Sequence, residues 1–368
     1  MNEWKEYKFS DFVSINPTVK MPTNEPISFV EMKDLVDGKK YCYPSSTRLK
    51  GGGAKFENQD TLFARITPCL ENGKICQVMG LKNGVGFGST EFLVFRGKLG
   101  VSDSDFVFYL SRWSEVRSHA EINLDGTSGR QRVPKDCFNE LILNLPESVL
   151  EQTAIASVLS SLDDKIDLLH RQNATLEKIA ETLFRQWFVE EAKEEWKEGK
   201  LSELVIVKYG KDHKKLLDGE IPVFGSGGLM RHVEKSLYNK ESVLIPRKGS
   251  LNNVMYQDEP FWTVDTMFYT EMKIPNVAKF IYHFLKEQDL ASMNVGSAVP
   301  SMTTEILNNM PLDIPPIEVF EKFEGAVAPL YAKTKSNQTQ INTLSALRDT
   351  LLPKLMSGEI RIEKMELI

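Results

Sequence analysis

No stretch of this 368-residue chain approaches the ~18 consecutive apolar residues that a membrane-spanning helix needs, so no membrane partner is expected. The first ten residues carry charges of both signs and no apolar leader segment, which makes the expected location cytoplasmic. Cysteine is scarce. The four present, Cys42, Cys69, Cys76 and Cys137, include no CxxC pair, so free thiols are expected rather than a metal site or a disulfide framework. Five scattered histidines, His119, His170, His213, His232 and His283, give no metal-ligand spacing either. GxxxxGK(S/T), HExxH and GxSxG are all missing, which removes support for a phosphate-loop ATPase, a zinc protease or an α/β-hydrolase. The GSGG at 225 to 228 lacks GxGxxG spacing and reads as a turn. No Asp/Asn-Pro-Pro-aromatic tetrapeptide, the mark of an amino-methylating centre, occurs. No catalytic or metal-binding residue is nominated.

The chain does contain a repetition. Residues 3 to 13, EWKEYKFSDFV, return at 195 to 205 as EWKEGKLSELV, an offset of 192 with Phe/Leu and Asp/Glu exchanges. A second correspondence, at an offset of 168, links two apolar seams with alternating four-and-three spacing, the pattern of long paired helices. The first seam is Ile155, Leu159, Leu162, Ile166, Leu169, Asn173, Leu176, Ala180, Leu183 and Trp187. The second is Phe323, Val327, Leu330, Thr334, Asn337, Ile341, Leu344, Arg348, Leu351 and Leu355, weakened at Thr334, Asn337 and Arg348. Ser148 and Glu151, following a proline, predict a capping box at the first helix start. A helix from about 149 to 188 would be roughly 60 Å long, far longer than a core helix needs. The two are expected to pair as an antiparallel coiled coil, with Asn173 fixing register and Asp163, Asp164, Asp167, Glu177 and Glu181 facing outward.

The remainder reads as mixed α/β. Strand-like runs (TLFARI at 61 to 66, EFLVFRG at 91 to 97, SVLIPRKG at 242 to 249, MFYTEMKI at 267 to 274) precede helix-like stretches at 105 to 113 and 277 to 285. Gly-rich segments at 50 to 56, 84 to 90, 125 to 133 and 224 to 232 are expected to be turns or bulges that bring backbone close to a ligand. The fold class is α+β, a pseudo-twofold repeat: 1 to 147, first block; 148 to 195, central helical spacer; 196 to 315, second block; 316 to 368, distal helical spacer.

Two helical stretches, EQTAIASVLSSLDDKI within 144 to 188 and LRDTLLPKLMSGEI within 344 to 360, resemble the conserved regions of the DNA-specificity subunit of type I restriction-modification systems. The run from PVFGSGGL through SVLIPRKGSLNNV to FWTVDT (222 to 266) is similar to that family's target-recognition domains, and the resemblance covers essentially the whole chain. It implies a non-catalytic subunit in which each block reads one half of a split double-stranded DNA target and the helices set the gap. It also implies two methyltransferase subunits, which would bring S-adenosylmethionine, and restriction-translocase subunits, which would use ATP and Mg. None of these cofactors is expected on this chain.

Charge cuts the other way, because a net −6 is poor for holding DNA by counterion release alone. The acidity is concentrated in residues 149 to 195, with 5 basic and 10 acidic side chains; residues 1 to 148 carry 19 of each. Readout needs only a few Arg, Lys, Asn or Gln at base edges. The candidates are Arg48, Lys50, Lys55, Arg130, Gln131 and Arg132 in the first block. In the second they are Lys211, His213, Lys214, Lys215, Arg231, Arg247, Lys248, Asn252 and Asn253. The alternatives are a coiled-coil protein adaptor that binds no DNA, which the acidity favours, and a fused enzyme, for which two blocks and two helices leave no room.

Overall fold

The computed structural model of the chain describes residues 4–49, 51–127, 129–293 and 301–362. They form two compact units, Met1–Gln172 with Ser336–Ile368, and Asn173–Lys335. Each unit takes one block and a stretch of both long helices.

In the first unit the elements run β1 (Trp4–Lys8), α1 (Phe9–Phe12), β2 (Val13–Ile15), β3 (Ile27–Val30), β4 (Tyr41–Cys42), β5 (Ser46–Arg48), β6 (Lys55–Glu57) and β7 (Thr61–Ala64). There follow β8 (Ile75–Val78), β9 (Val85–Gly88), β10 (Phe92–Gly97), α2 (Ser104–Arg112), α3 (Ser114–Ile122), β11 (Ile142–Pro146) and the long α4 (Val149–Arg185). The strands make a β1-β11 pair and two sheets, β2-β10-β7-β8-β4 and β5-β3-β9-β6. Alternate apolar residues of the larger sheet, Phe63 and Phe95 among them, bury against Phe9, Phe106 and Phe138. That core continues into Ile155, Ala156 and Leu159 of α4.

The second unit repeats the order with fewer strands: β12 (Lys197–Lys200), α5 (Leu201–Leu204), β13 (Val205–Tyr209), β14 (Ile221–Gly225), β15 (Gly228–Val233), β16 (Ser242–Pro246), β17 (Met255–Gln257) and β18 (Trp262–Thr263). Next come β19 (Met267–Met272), α6 (Ala278–Glu287), α7 (Thr304–Asn308), β20 (Pro311–Ile314) and α8 (Ile317–Met356). The sheets are β12-β20, β13-β19-β16-β17 and β15-β14-β18. The offset of 192 survives in register: Ile15 lies opposite Phe95 as Val207 lies opposite Thr270, both on antiparallel neighbours.

The repeated tryptophans explain the repeated opening words. Trp4 donates its indole N–H to Glu151 at 2.8 Å, and its ring meets Gly358 and the guanidinium of Arg361 just past the end of α8. Trp196 is buried beside Phe188, in the turn that ends α4. Each is a wedge at a helix exit. Glu151 is thereby taken from the expected capping box, and Ser148 instead accepts the Gln152 amide through its main-chain carbonyl.

Every position of both predicted seams is buried or half-buried. In the first unit Ile155 and Leu159 share a core with Leu351, Leu355 and Met356, and Ile166 and Leu169 meet Ile341 and Leu344, so the helices run antiparallel. In the second unit Ala180, Leu183 and Phe184 pack with Phe320, Phe323, Val327 and Leu330. The Asn173 side-chain amide faces the Thr334 carbonyl at 3.5 Å.

Two expectations are corrected here. Asp163 does not face outward: it is buried, accepts the Tyr109 hydroxyl at 2.7 Å and pairs with Arg348 at 2.6 Å. Arg348, which looked like a defect in the seam, is its partner and also donates to the Gly38 carbonyl. A polar pair occupies the seam because each charge satisfies the other away from water. Within the glycine-rich 84 to 90 segment, Val85–Gly88 are a buried strand, β9, between β3 and β6, and only its flanks are turns. A Cβ at Gly88 would lie 2.5 Å from the Val30 carbonyl oxygen, and one at Gly86 would lie 2.8 Å from the Leu81 and Phe56 side chains, so the space beside these glycines is filled by the protein itself.

Candidate nucleic-acid interface

Strand register in the second unit gathers most of its candidates at one place. Tyr209, the last residue of β13, lies opposite Phe268, and Pro246, the last of β16, opposite Met267. The loops that follow both strands therefore leave the same end of the sheet, opposite α5. Hydrogen bonds tie that rim: Lys211 and Arg247 donate their amides to Thr263 and Thr266 at 2.9 and 2.8 Å. Asn253 donates its side-chain amide to Ser226 in the β14–β15 turn at 2.8 Å. Gly249, at φ +87°, lies against Ser226, where a side chain would collide.

Lys211, Lys214, Lys215 and Lys248 are exposed there, and their ammonium groups make no hydrogen bond or ion pair among the described residues. His213 is half-buried beside them. Other candidates are committed to the fold. Arg231 turns back onto the Leu216 carbonyl at 2.6 Å and Asp218 at 3.3 Å, and Asn252 joins Asp289 and the Ala291 amide. Arg247 is intermediate, with one guanidinium hydrogen bond among the described residues, to the Asp265 carbonyl at 3.1 Å, and the Tyr209 ring 5.5 Å away.

The first unit has a corresponding rim. Ile15 ends β2 and Ala64 ends β7, opposite Phe95 and Phe92 of β10. The segment around Gln131 is fastened to this end, since Thr67 and Gln131 exchange hydrogen bonds at 3.0 and 3.1 Å and Ile66 bridges Arg132. Arg132 forms a forked ion pair with Glu91 at 2.8 Å, while Arg130 is exposed with no side-chain partner among the described residues. Lys55 lines a cleft of about 460 Å³ with Thr18, Thr90 and Lys135. Arg48 stands apart on the edge strand β5, stacked over Phe29 at 3.5 Å and paired with Glu31. Lys50 lies outside the described residues.

Two further cations lie here: Lys135 lines the cleft with Lys55, and Arg65 follows the end of β7, where LFAR (62 to 65) matches LIPR (244 to 247) in sequence. The four cysteines are free thiols. Among the described residues no group of three His, Cys, Asp or Glu side chains is placed to hold a metal ion, and no helix is long and apolar enough to cross a membrane.

Two units with the same element order and a rim of loops at the same sheet end match a known arrangement. The profile described as "Type I restriction modification DNA specificity domain" matches residues 1–178 and again 193–346. The chain belongs to this specificity-subunit family. It is similar to the type I restriction enzyme MjaIX specificity subunit of Methanocaldococcus jannaschii, 28% identical over 71% of this chain and 70% of that one. It is also similar to the HindI specificity subunit of Haemophilus influenzae, 22% identical over 98% of this chain and all of the other. Among solved structures, the S subunit of a type I system from M. genitalium shares the fold, with a TM-score of 0.61 and 19% identity over 96% of each chain. The two profile matches begin at the two repeated openings, so the repeat read in the sequence is a repeat of this family's domain.

Proposed function

We propose that this chain is the DNA-reading subunit of a type I restriction-modification complex, binding a bipartite double-stranded target through its two blocks, 1 to 147 and 196 to 315. Adenine methylation and ATP-dependent cleavage are assigned to separate methyltransferase and restriction-translocase subunits, and with them S-adenosylmethionine, ATP and Mg. The observation that supports this reading is the duplicated family domain, each copy ending in uncommitted cationic side chains at one rim. The long helices, each contributing to both units, set the unread gap in this reading. The test is to map methylated adenines across the source genome with and without this gene. A split motif that disappears with the gene is the expected result; an unchanged methylation map sinks the assignment and leaves the protein-adaptor alternative.

A further inference from the structure

Two arginines occupy the same place in the two units. Arg65 follows β7 and Arg247 follows β16, the equivalent strand: Ala64 lies opposite Phe92 as Pro246 lies opposite Met267. The main-chain bracket around them is also the same. The Arg65 amide donates to the Glu91 carbonyl at 2.9 Å, and the Arg247 amide to the Thr266 carbonyl at 2.8 Å. The Arg65 carbonyl accepts from Val133 at 2.8 Å, and the Arg247 carbonyl from Met302 at 2.8 Å. Even the next step matches, because Ile66 bridges Arg132 where Lys248 bridges Ser301.

The neighbours differ while the arginine does not. Ile66 and Thr67 stand where the second unit has Lys248 and Gly249, and Arg132 where it has Ser301. Side chains that read two different half-sites are expected to differ between the blocks, whereas a residue repeated at one position meets what both half-sites share. Any two DNA segments share the phosphodiester backbone.

The side chains are suited to that. The guanidinium of Arg65 makes no hydrogen bond among the described residues, and of its nitrogens only Nε is enclosed, so the two terminal nitrogens are donors left open to an oxygen ligand. Among the described residues Arg247 spends one N–H on the Asp265 carbonyl and no other part of its fork. A planar fork of donors matches the oxygens of a phosphate.

We propose that Arg65 and Arg247 are equivalent phosphate-positioning contacts, one per half-site, which set each block against the DNA backbone without choosing the bases. The proposal rests on the DNA-reading function above. The test uses the full chain co-produced with the methyltransferase of its own system, and measures binding to its target duplex, and to single-base variants of it, across a salt series. The variants are Arg65→Gln, Arg247→Gln and the two lysine counterparts, each checked for an unchanged melting temperature.

Each glutamine change is expected to weaken binding by the same factor on every duplex and to reduce the salt slope by about 0.9. Lysine, a point charge that still suits phosphate, restores most of the loss. Unchanged affinity and slope overturn the proposal. So does a loss confined to one base pair that lysine cannot rescue, since that is base reading by a bidentate fork. A wild-type complex that shows no preference for any DNA overturns the underlying function, and is seen before any variant is made.

Discussion

At the scale of single residues, two buried polar contacts hold the blocks against the helices. The Asp163 and Arg348 side chains are 1% and 5% exposed, with Tyr109 donating to the same carboxylate. Removing one partner strands a charge away from water, so Arg348→Met alone is expected to cost about 3–5 kcal/mol. Pairing it with Asp163→Leu should return part of that loss, since the two charges leave together while the Tyr109 hydroxyl and the Gly38 carbonyl each lose a partner. Urea unfolding of both singles and the double checks this, and strictly additive effects would contradict it. In the second unit His283 stands 3.0 Å from the Tyr331 hydroxyl, and burial, aided by Lys286, pushes its imidazole down to about 4. Glu177 opposes that shift weakly. The unfolded histidine binds its proton near pH 6.5, so between about 6.5 and 4 the unfolded state holds more protons than the folded one. The stability contributed by the neutral ring is therefore intact above about pH 6.5 and is lost as pH falls toward 4. His283→Phe is expected to flatten that acid-side decline in unfolding midpoint measured from pH 7 to 4.5, and an identical slope in wild type and variant would refute the assignment.

Among the elements, β9 shows why glycine spacing alone misleads. Gly86 and Gly88 alternate with buried Phe87 along a strand squeezed between β3 and β6, and a Cβ at Gly88 would also lie 2.9 Å from the Phe92 ring. Since the collision is with a backbone oxygen that cannot turn aside, Gly88→Ala is expected to cost about 1–3 kcal/mol. Gly52, with open space around it, is the matched control, and Gly52→Ala should leave the melting temperature within a degree or so of wild type. Equal shifts for the two would mean that β9 is not close-packed. The elements also show one geometry built from different chemistry. The helix offset of 168 carries Asp163 onto Tyr331, so Tyr109 of α2 meets a carboxylate on α4 where His283 of α6 meets a phenol on α8. The two docking contacts are not interchangeable, which works against seating a block on the other block's helix segments.

For the molecule as a whole, the repeated domain predicts separable functions. Replacing residues 1 to 147 with the block of a relative of different specificity is expected to change one half of the methylated motif and leave the other half and the gap untouched, because base contacts are local to a block. Methylation sequencing of cells carrying the hybrid reads the outcome, and a change in both halves would show that the blocks do not read independently. Concentration of acidic side chains between 149 and 195 gives this scale its second feature. Exposed Asp164 and Glu181 on α4 repel phosphate, whereas Glu177 is paired with Lys286, so the proposed cationic contact with DNA is expected at the loop rims rather than along α4.

Periodicity was enough to place both long helices and the seam positions that turn inward, because a seam of four-and-three spacing has one face that can leave water. Repetition was enough to show two like halves, since two copies of one opening phrase fold into the same strand, short helix and strand, but the two compact units divide within the long helices and not at the block ends. Neither could show that Asp163 faces inward, because its partners Tyr109 and Arg348 are 54 and 185 residues away in sequence and meet it only through folding. Nor could they separate Lys248, whose ammonium group makes no hydrogen bond or ion pair among the described residues, from Arg132, held by Glu91, or Arg231, held by Asp218. An exposed and a committed cation are the same letter in a loop, and pairing is decided by which carboxylate or carbonyl the completed sheet brings within reach.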